Sequence, residues 1–501
     1  MTGVLLTAPL IALWSAGWKA FDLPFPPFDL FDWIARVLPG PVVTWVIDSM
    51  VAGFAMLRVN PASGAKLIEQ ALAVGLAFAA GTATSAIVFA LLAVSGEPAS
   101  LFGSILGAVL GGLVLVMEQA LNRLTSPGEV QSVLWLLSTS LAWGVLVGLV
   151  YDHTNAAAQP QADRRRFLMH VGNAAAATTL VGAGWSVLAD RLGEEGPDVR
   201  WSSTNPLPNA GTRVVPVSGT RHELTALEDH YRVDVNTRAP ALSRQRWRLR
   251  VTGLAGQPLN LALEELRRME PLHQFVTLSC ISNPPGGDLI STTRWTGVSL
   301  QRLLSRLRPP RTVTHIKVTS ADGFFEVVSM ADIMADARIM LTYAWDGALL
   351  PVEHGRPLRL YVPDRYGMKQ PKWIVSLDGL DHWEAGYWVS RGWDREGHVK
   401  ATTAVDVVAV DRPVTDAGGR RLVPVGGIAY AGARGVSRVE VQVDRGEWHA
   451  AELREPLSET SWVLWRVDVP IPPGEHTVSA RCYERDGTPQ IGLLHSRRVT
   501  L

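Results

Sequence analysis

Long windows without a formal charge fill the first 190 residues, and short alternating runs replace them from Trp247 onward. The apolar windows are Val4–Trp18, Pro41–Leu57 (interrupted by Asp48), Gln70–Gly96, Pro98–Met117, Gln131–Tyr151 and Phe167–Ala189. The first is short. Most of the others approach or exceed the roughly 20 residues that an α-helix needs to cross a bilayer. Their Gly/Ala-rich, weakly polar faces offer little to water, so the pattern predicts an all-α transmembrane bundle of five or six helices over residues 1–190.

The stretch after Asp190 reads differently. Residues 191–221 are rich in Pro, Gly, Ser and Asn and predict a linker. Residues 222–400 mix periods. "WRLRVTGL", "FVTLSC", "THIKVTSADG" and "PLRLYVPDRYG" alternate or run as strands, whereas "LALEELRRM" and "SLQRLLSRL" are helical, which predicts an α+β domain. Residues 401–501 contain strands only. "SRVEVQVDRGEW" alternates at Val439, Val441 and Val443, and two further strands flank a Pro-Pro-Gly turn. Several short strands in so few residues predict an all-β, immunoglobulin-like sandwich.

The last apolar window is preceded by Arg164-Arg165-Arg166. Two readings remain open: an ordinary positive-inside anchor, or a twin-arginine export signal placed internally. Both put the arginines in the cytoplasm and everything after Asp190 outside the cell membrane. The inner loops then carry Lys19, Arg36 and Arg164–Arg166, and the outer loops carry Arg58, Lys66 and Arg123.

Composition narrows the chemistry. Lys plus Arg and Asp plus Glu are both 47, and no basic block stands out, which argues against nucleic acid as a partner. Mean hydropathy is +0.12, with the apolar excess in the N-terminal windows. His153 and His170 are the histidines of the first 190 residues, too few for paired haem ligands between helices. There is no Cys-x-x-Cys-His, and two cysteines hold neither an iron–sulfur cluster nor a zinc ribbon. Any redox chemistry in the C-terminal half therefore needs an external electron carrier, a cytochrome or a quinone-linked protein.

Cys280 ends a strand-like run and opens a Pro-Pro-Gly-Gly loop. From the residues alone it is a core thiol, a nucleophile or a metal ligand, and as a lone ligand it requires a cofactor that brings its own donors. Cys482, on a predicted strand, reads as a small buried residue.

"TLSCISNPPGGDLI…RWTGVSL" followed by "TYAWDGALLPVEHGRPLRLYVPDRYGMKQPKWIVSL" resembles the molybdopterin domain of the sulfite oxidase family, and "VGGIAYAGARGVSRVEVQVDRGEW" resembles that family's C-terminal dimerisation domain. The resemblance implies a molybdenum-molybdopterin cofactor with Cys280 as the protein's metal ligand. It places Tyr231, Arg232, Ser320, His354, Arg359, Gln370, Pro371 and Lys372 around the pterin and its phosphate. Tyr343 and Arg232 become catalytic candidates, the latter for an oxyanion. The site departs from both named activities. Sulfite oxidases carry an Arg where Pro285 stands, and the related peptide-methionine-sulfoxide reductases use Asn where His354 stands and lack the tyrosine. The implied protein is a membrane-embedded, extracytoplasmic oxidoreductase. It exchanges an oxygen atom with a small-molecule or sulfoxide-type substrate, and a homodimer is suggested by the tail. The rival reading is a non-catalytic binding or assembly protein with a vestigial pocket.

Overall fold

The computed structural model describes residues 2–21, 23–57, 61–95, 98–121, 129–155, 166–167, 169–181, 206–240 and 242–501. The chain divides into two compact units. One comprises Met1–Val43, Lys66–Glu195 and Asp234–Ala241, and the other comprises Thr44–Ala65, Gly196–Val233 and Leu242–Leu501.

Helices α1 (Thr2–Phe21), α2 (Pro26–Val37), α3 (Gly40–Leu57), α4 (Pro61–Ser95), α5 (Ala99–Ala120) and α6 (Glu129–Asn155) come first. Residues 169–181 form α7. Among the described residues, three stretches are long and apolar enough to cross a membrane: Lys66–Val94, Ala99–Ala120 and Val130–Thr154. Leu5–Phe21 is a shorter apolar helix. The sixth expected window runs out of the described residues after 181, and Arg164 and Arg165 lie outside them.

Helices α5 and α6 pack closely because small residues face each other. A Cβ on Gly103 would collide with the Gly144 carbonyl, and one on Gly144 with the Gly103 carbonyl, so both positions exclude a side chain. The hydrophobic pattern missed α2, an amphipathic helix that buries Asp29 and Asp32. These acids meet the short segment Asp234–Ala241, which belongs to this unit. Thr237 donates its N–H and its hydroxyl to Asp32 Oδ1, each at 2.6 Å. Arg36 donates to Asn236 Oδ1 at 2.8 Å, and Lys66 Nζ to the Asn236 carbonyl at 2.6 Å.

Among the described residues, the second unit holds four sheets. Its first region supplies β1 (Leu249–Thr252), β2 (Leu259–Leu261), β3 (Leu272–Ser279), β4 (Ile290–Ser299), β5 (His315–Ser320), β6 (Phe325–Ser329), β7 (Met340–Trp345), β8 (Ala348–Leu349), β9 (Arg359–Tyr361) and β10 (Ile374–Leu380). One sheet has the order β2-β1-β10-β5-β6, and the other has the order β3-β4-β7-β8 with β9 on β7. Helices α8 (Leu263–Arg267), α9 (Leu300–Leu307) and α10 (Met330–Ala335) complete this α+β region. In α9 the periodic Leu300, Leu303 and Leu304 are buried in the core with Leu249, Val251, Ile316 and Val318. The Ser299 hydroxyl caps its N-terminus by accepting from Arg302 N–H.

The C-terminal strands are β11 (Thr402–Val408), β12 (Val414–Thr415), β13 (Arg421–Tyr430), β14 (Val436–Val443), β15 (Trp448–Ala450), β16 (Glu452–Leu453), β17 (Val463–Val469), β18 (Glu475–Glu484) and β19 (His495–Thr500). They form two antiparallel sheets, β11-β13-β17-β16 with β12 on β13, and β15-β14-β18-β19. One apolar core joins both: Val405, Val425 and Trp465 meet Val439, Val441, Val478 and Cys482. Val439 and Val441 are fully buried, as their alternation predicts. Cys482 lies fully buried in this core, where burial pushes its thiol up to about 12.

The described part of the expected linker is packed. Arg454 donates to the carbonyls of Val214 and Asn209 and pairs with Glu223 at 2.8 Å, while Val217 and Thr220 lie against Gly426. Composition predicts irregular backbone there. It does not reveal that tertiary hydrogen bonds hold that backbone in place.

Candidate functional site

Strands β3 and β4 pair in full register from Leu272↔Gly297 to Ser279↔Ile290. The loop between them begins at Cys280, whose N–H donates to the Leu289 carbonyl at 2.9 Å, closing its base. Asn283 stiffens it from inside: its N–H donates to the Cys280 carbonyl at 3.1 Å, and its Oδ1 accepts from Leu289 N–H at 2.8 Å. Cys280 is half-buried. Burial pushes its thiol up, and hydrogen bonds from Ser282 and from the Ile281 backbone pull it back toward the thiolate. Amides converging on a sulfur suit a ligand thiolate better than a core thiol.

A residue that the sequence reading passed over holds the loop from outside. Arg221 donates to the Gly286 and Gly287 carbonyls at 2.9 and 3.0 Å, and its Nε pairs with Asp406 at 3.1 Å. In one-dimensional form Arg221 is simply the end of a linker.

Behind the loop lies an aromatic floor. Trp295 on β4 is paired in register with Trp345 on β7, both are fully buried, and their ring centroids are 5.0 Å apart. Tyr231, Leu278, Trp295, Trp345 and Tyr361 form one buried cluster, and Cys280 packs against it. Arg359 enters from β9, with its guanidinium carbon 4.6 Å from the Trp295 ring and 5.1 Å from the Trp345 ring. Its NH1 donates to the His354 carbonyl at 3.1 Å, and its Nε has no hydrogen-bond partner although it is buried. Burial pulls this guanidinium down to about 9.

His354 follows from the turn before β9, and His230 packs at its edge with ring centroids 5.1 Å apart. Trp345 touches both rings, at 4.4 Å from His230 and 4.8 Å from His354. Burial is the main reason that His354 falls to about 2 and His230 to about 3, and the charge of Arg359 adds to it for both. Both imidazoles are therefore neutral at physiological pH. The Nε2 of His230 is buried without a partner. His230 stands inside the "HYRVD" segment, where the resemblance drew attention to its two neighbours and not to it.

The turn through Gly355 brings the second cation in. Gly355 has φ +111°, and a Cβ there would stand 3.0 Å from Lys372 Cβ and 3.1 Å from Arg359 Cβ. Only glycine satisfies both the backbone and the space. Lys372 Nζ donates to the carbonyls of Glu353 and Val233 at 3.2 and 3.3 Å and lies over the Trp373 ring. Gln370 is buried, with its side-chain amide donating to the Arg365 carbonyl at 2.9 Å and its Oε1 unpartnered. The Pro371 carbonyl accepts from Leu360 N–H at 2.9 Å, which ties this segment to β9. Ser320, at the end of β5, pairs in register with Ile374, and its hydroxyl is buried without a partner. Arg232 is half-buried, and its charge is among those that depress His354.

Tyr343 does not join this cluster. The pairing steps from Thr296↔Ala344 to Gly297↔Thr342, so Tyr343 is the extra residue of a bulge in β7. The bulge resets the alternation. Met340 and Trp345 reach the aromatic floor, whereas Leu341 and Tyr343 point into the helix-backed core with Leu300 and Leu303.

The constellation has the donor set of an anion-binding cofactor cradle beside one soft ligand. The buried guanidinium with an unpartnered Nε and the neighbouring ammonium call for an anion, whereas the acceptor atoms His230 Nε2 and Gln370 Oε1 call for N–H donors and the Ser320 hydroxyl can take either. Phosphate and pterin heteroatoms supply such partners, and Cys280 supplies a thiolate to a soft metal.

Comparison with known proteins agrees with that chemistry. The family described as "Oxidoreductase molybdopterin binding domain" matches residues 236–388, and "Mo-co oxidoreductase dimerisation domain" matches residues 396–490. The chain is 27% identical over 287 residues to "Sulfite oxidase, mitochondrial" of Macaca fascicularis, covering 48% of this chain and 52% of that protein. It is 30% identical over 280 residues to "Sulfite oxidase" of Gallus gallus, covering 47% and 61%. The chain belongs to the sulfite oxidase family. Its cofactor is accordingly molybdenum-molybdopterin, and Cys280, Ser320, His354, Arg359, Gln370, Pro371 and Lys372 all fall within the matched cofactor domain. The chain spans about half to three-fifths of the length of these sulfite oxidase relatives. It is also 27% identical over 148 residues to "Putative protein-methionine-sulfoxide reductase subunit YedZ1" of Azospira oryzae (strain ATCC BAA-33 / DSM 13638 / PS), covering 30% of this chain and 54% of that protein.

Proposed function

We propose that this protein is a membrane-anchored, extracytoplasmic oxidoreductase. Its reaction transfers an oxygen atom to or from a small or peptide-borne sulfur or nitrogen oxo substrate. The observation that carries the reading is the pairing of a loop-presented Cys280 with a buried, partly unsatisfied Arg359 in one aromatic-floored pocket. When bound, the molybdenum cofactor supplies two-electron oxygen exchange.

The residues divide the work. Cys280 holds the metal. Arg359 and Lys372 hold the phosphate, with Tyr231, Ser320, Gln370 and the Pro371 backbone about the pterin. His354, kept neutral, offers one donor and one acceptor nitrogen, and neutral His230, whose Nδ1–H donates to the Tyr231 carbonyl, offers Nε2 as an acceptor; neither adds charge. Arg232 is the cation assigned here to an oxyanion, since Pro285 offers no charge. Tyr343 carries no part in this scheme, because it lies in the core.

The three apolar helices anchor the protein in the cytoplasmic membrane. The arginines at 164–166 stand on the cytoplasmic side and the cofactor unit stands outside. Electrons pass to or from a cytochrome or a quinone-linked protein. The dimerisation-type domain supports a homodimer, and an immunoglobulin-like sandwich is the architecture that fits its two sheets.

Two measurements test this. Purified full-length protein should contain molybdenum and pterin, and its metal signal should respond to sulfoxides under anaerobic conditions. Protein that lacks molybdenum when expressed with an intact cofactor pathway, or a loaded protein silent to every oxo donor and acceptor, removes the enzymatic reading. A reporter fused before Trp201 should be active only if it works outside the cytoplasm, and activity of a cytoplasmic reporter reverses the orientation.

A further inference from the structure

A separate cavity of about 280 Å³ opens beside the edge strand β6, away from the aromatic floor. Its deepest charged group is Glu326, which is fully buried. One carboxylate oxygen is satisfied: Oε1 takes Lys369 Nζ at 2.7 Å and Val327 N–H at 2.9 Å. The other, Oε2, is buried and has no hydrogen-bond donor. Lys369 is already engaged, since its ammonium also donates to the Arg395 carbonyl at 3.0 Å. The cavity thus presents an acceptor that lacks a donor, in surroundings where an unmet carboxylate oxygen is costly.

The rim has the opposite character. Arg395 is exposed and lies over the half-buried Trp383 ring, with its guanidinium carbon 4.1 Å from the centroid. Arg365 stands nearby, and both guanidiniums share the single carboxylate of Glu396 at 3.5 Å each. Asp332 also lines the cavity and Arg365 donates to His398 as well, so the rim offers an incoming anion guanidinium N–H groups rather than a net positive charge.

We infer that this cavity binds a small zwitterion: its ammonium or amine donates to Glu326 Oε2, and its carboxylate or sulfonate meets Arg365 and Arg395. The volume suits a free amino acid or aminosulfonate rather than a folded partner. Neither charge alone satisfies the site, because an anion leaves Glu326 Oε2 unmet and a cation leaves the rim guanidiniums without a further acceptor. The site is distinct from the cofactor pocket and does not rest on the reaction proposed above. It shares one segment with that pocket, however. Arg365 and Lys369 flank Tyr366 and Met368, which pack with Ile281, the residue after Cys280.

The test is calorimetric titration of the full chain in detergent with glycine, β-alanine, γ-aminobutyrate and taurine, and with acetate and methylamine as single-charge controls. At least one zwitterion should bind saturably and about tenfold more tightly than either control. Arg395→Ala and Trp383→Ala alter the rim, and each should weaken that binding about tenfold, as should Glu326→Gln at the floor. Acetate binding as tightly as the best zwitterion, absence of saturable binding by all of them, or rim variants that bind like the parent would each overturn the inference. The rim variants decide the matter even if Glu326→Gln fails to fold.

Discussion

Replacing Arg359 by Met should have opposite effects on the protein without and with its cofactor. Arg359 is 3% exposed, its Nε has no partner, and burial pulls the guanidinium from an ordinary 12.5 down to about 9. The folded value lies below the unfolded one, so the unfolded chain holds this proton more firmly. Stability of the cofactor-free protein therefore rises as pH climbs from about 9 toward 12.5, and the whole penalty stands at neutral pH. The Trp295 and Trp345 faces recover part of it, a cation–π contact being worth up to about 2 kcal/mol when desolvated. Exchanging buried ions for apolar side chains of similar volume returns about 1–4 kcal/mol, so Arg359→Met should stabilise the cofactor-free protein by roughly 1–3 kcal/mol. With cofactor bound, the same change removes a charge-assisted contact to phosphate worth about 1.5–3 kcal/mol, or about ten- to a hundred-fold in retention. The assay is denaturant unfolding of the full chain in detergent, prepared from cofactor-deficient and cofactor-replete cells, with pterin content measured on each sample. A cofactor-free variant less stable than its parent, or unchanged pterin retention, would refute the assignment of Arg359 to an anion that is missing from the bare fold.

Cys280→Ser should keep the fold and much of the pterin but lose turnover, because oxygen is a harder and poorer donor than thiolate. Metal, pterin and activity assays on one preparation separate this from a core-thiol role, for which activity per folded molecule would stay constant. Gly355→Ala should cost about 1–3 kcal/mol through a left-handed backbone alone, and its methyl also crowds Lys372 and Arg359. Its signature is a cofactor content that falls more steeply than secondary structure does by circular dichroism. Sulfite should bind about ten- to a hundred-fold more weakly than it binds to relatives with Arg at the place of Pro285, since one charge-assisted contact is missing. Rapid sulfite turnover at low concentration would show that Arg232 suffices.

Local chemistry and periodicity were legible without a fold. Three of the six apolar windows became helices long and apolar enough to cross a membrane among the described residues, because length and lack of charge are tested window by window, and the expected five or six helices are not reached. The alternation at Val439 and Val441 and the spacing of Leu300, Leu303 and Leu304 announced their buried faces, because strand and helix periods act over a few residues. Cys280 and the "HGRPLRL" stretch announced a cofactor only through their resemblance to the sulfite oxidase family. Facts that depend on long-range pairing were hidden. The bulge at Tyr343, which packs that side chain with the helix-backed core, depends on register with β4, which no local pattern encodes. Arg221 reaches Gly286 and Gly287 across more than 60 positions of chain, and His230 meets His354 across more than a hundred. The acids of α2 escaped notice because their partners lie at Thr237 and Arg238. Which side chains carry chemistry was set by covalent identity, readable in one dimension. Which of them meet, and which lose their charge by burial, was decided by chain closure over long distances, where packing and desolvation are properties of the whole fold.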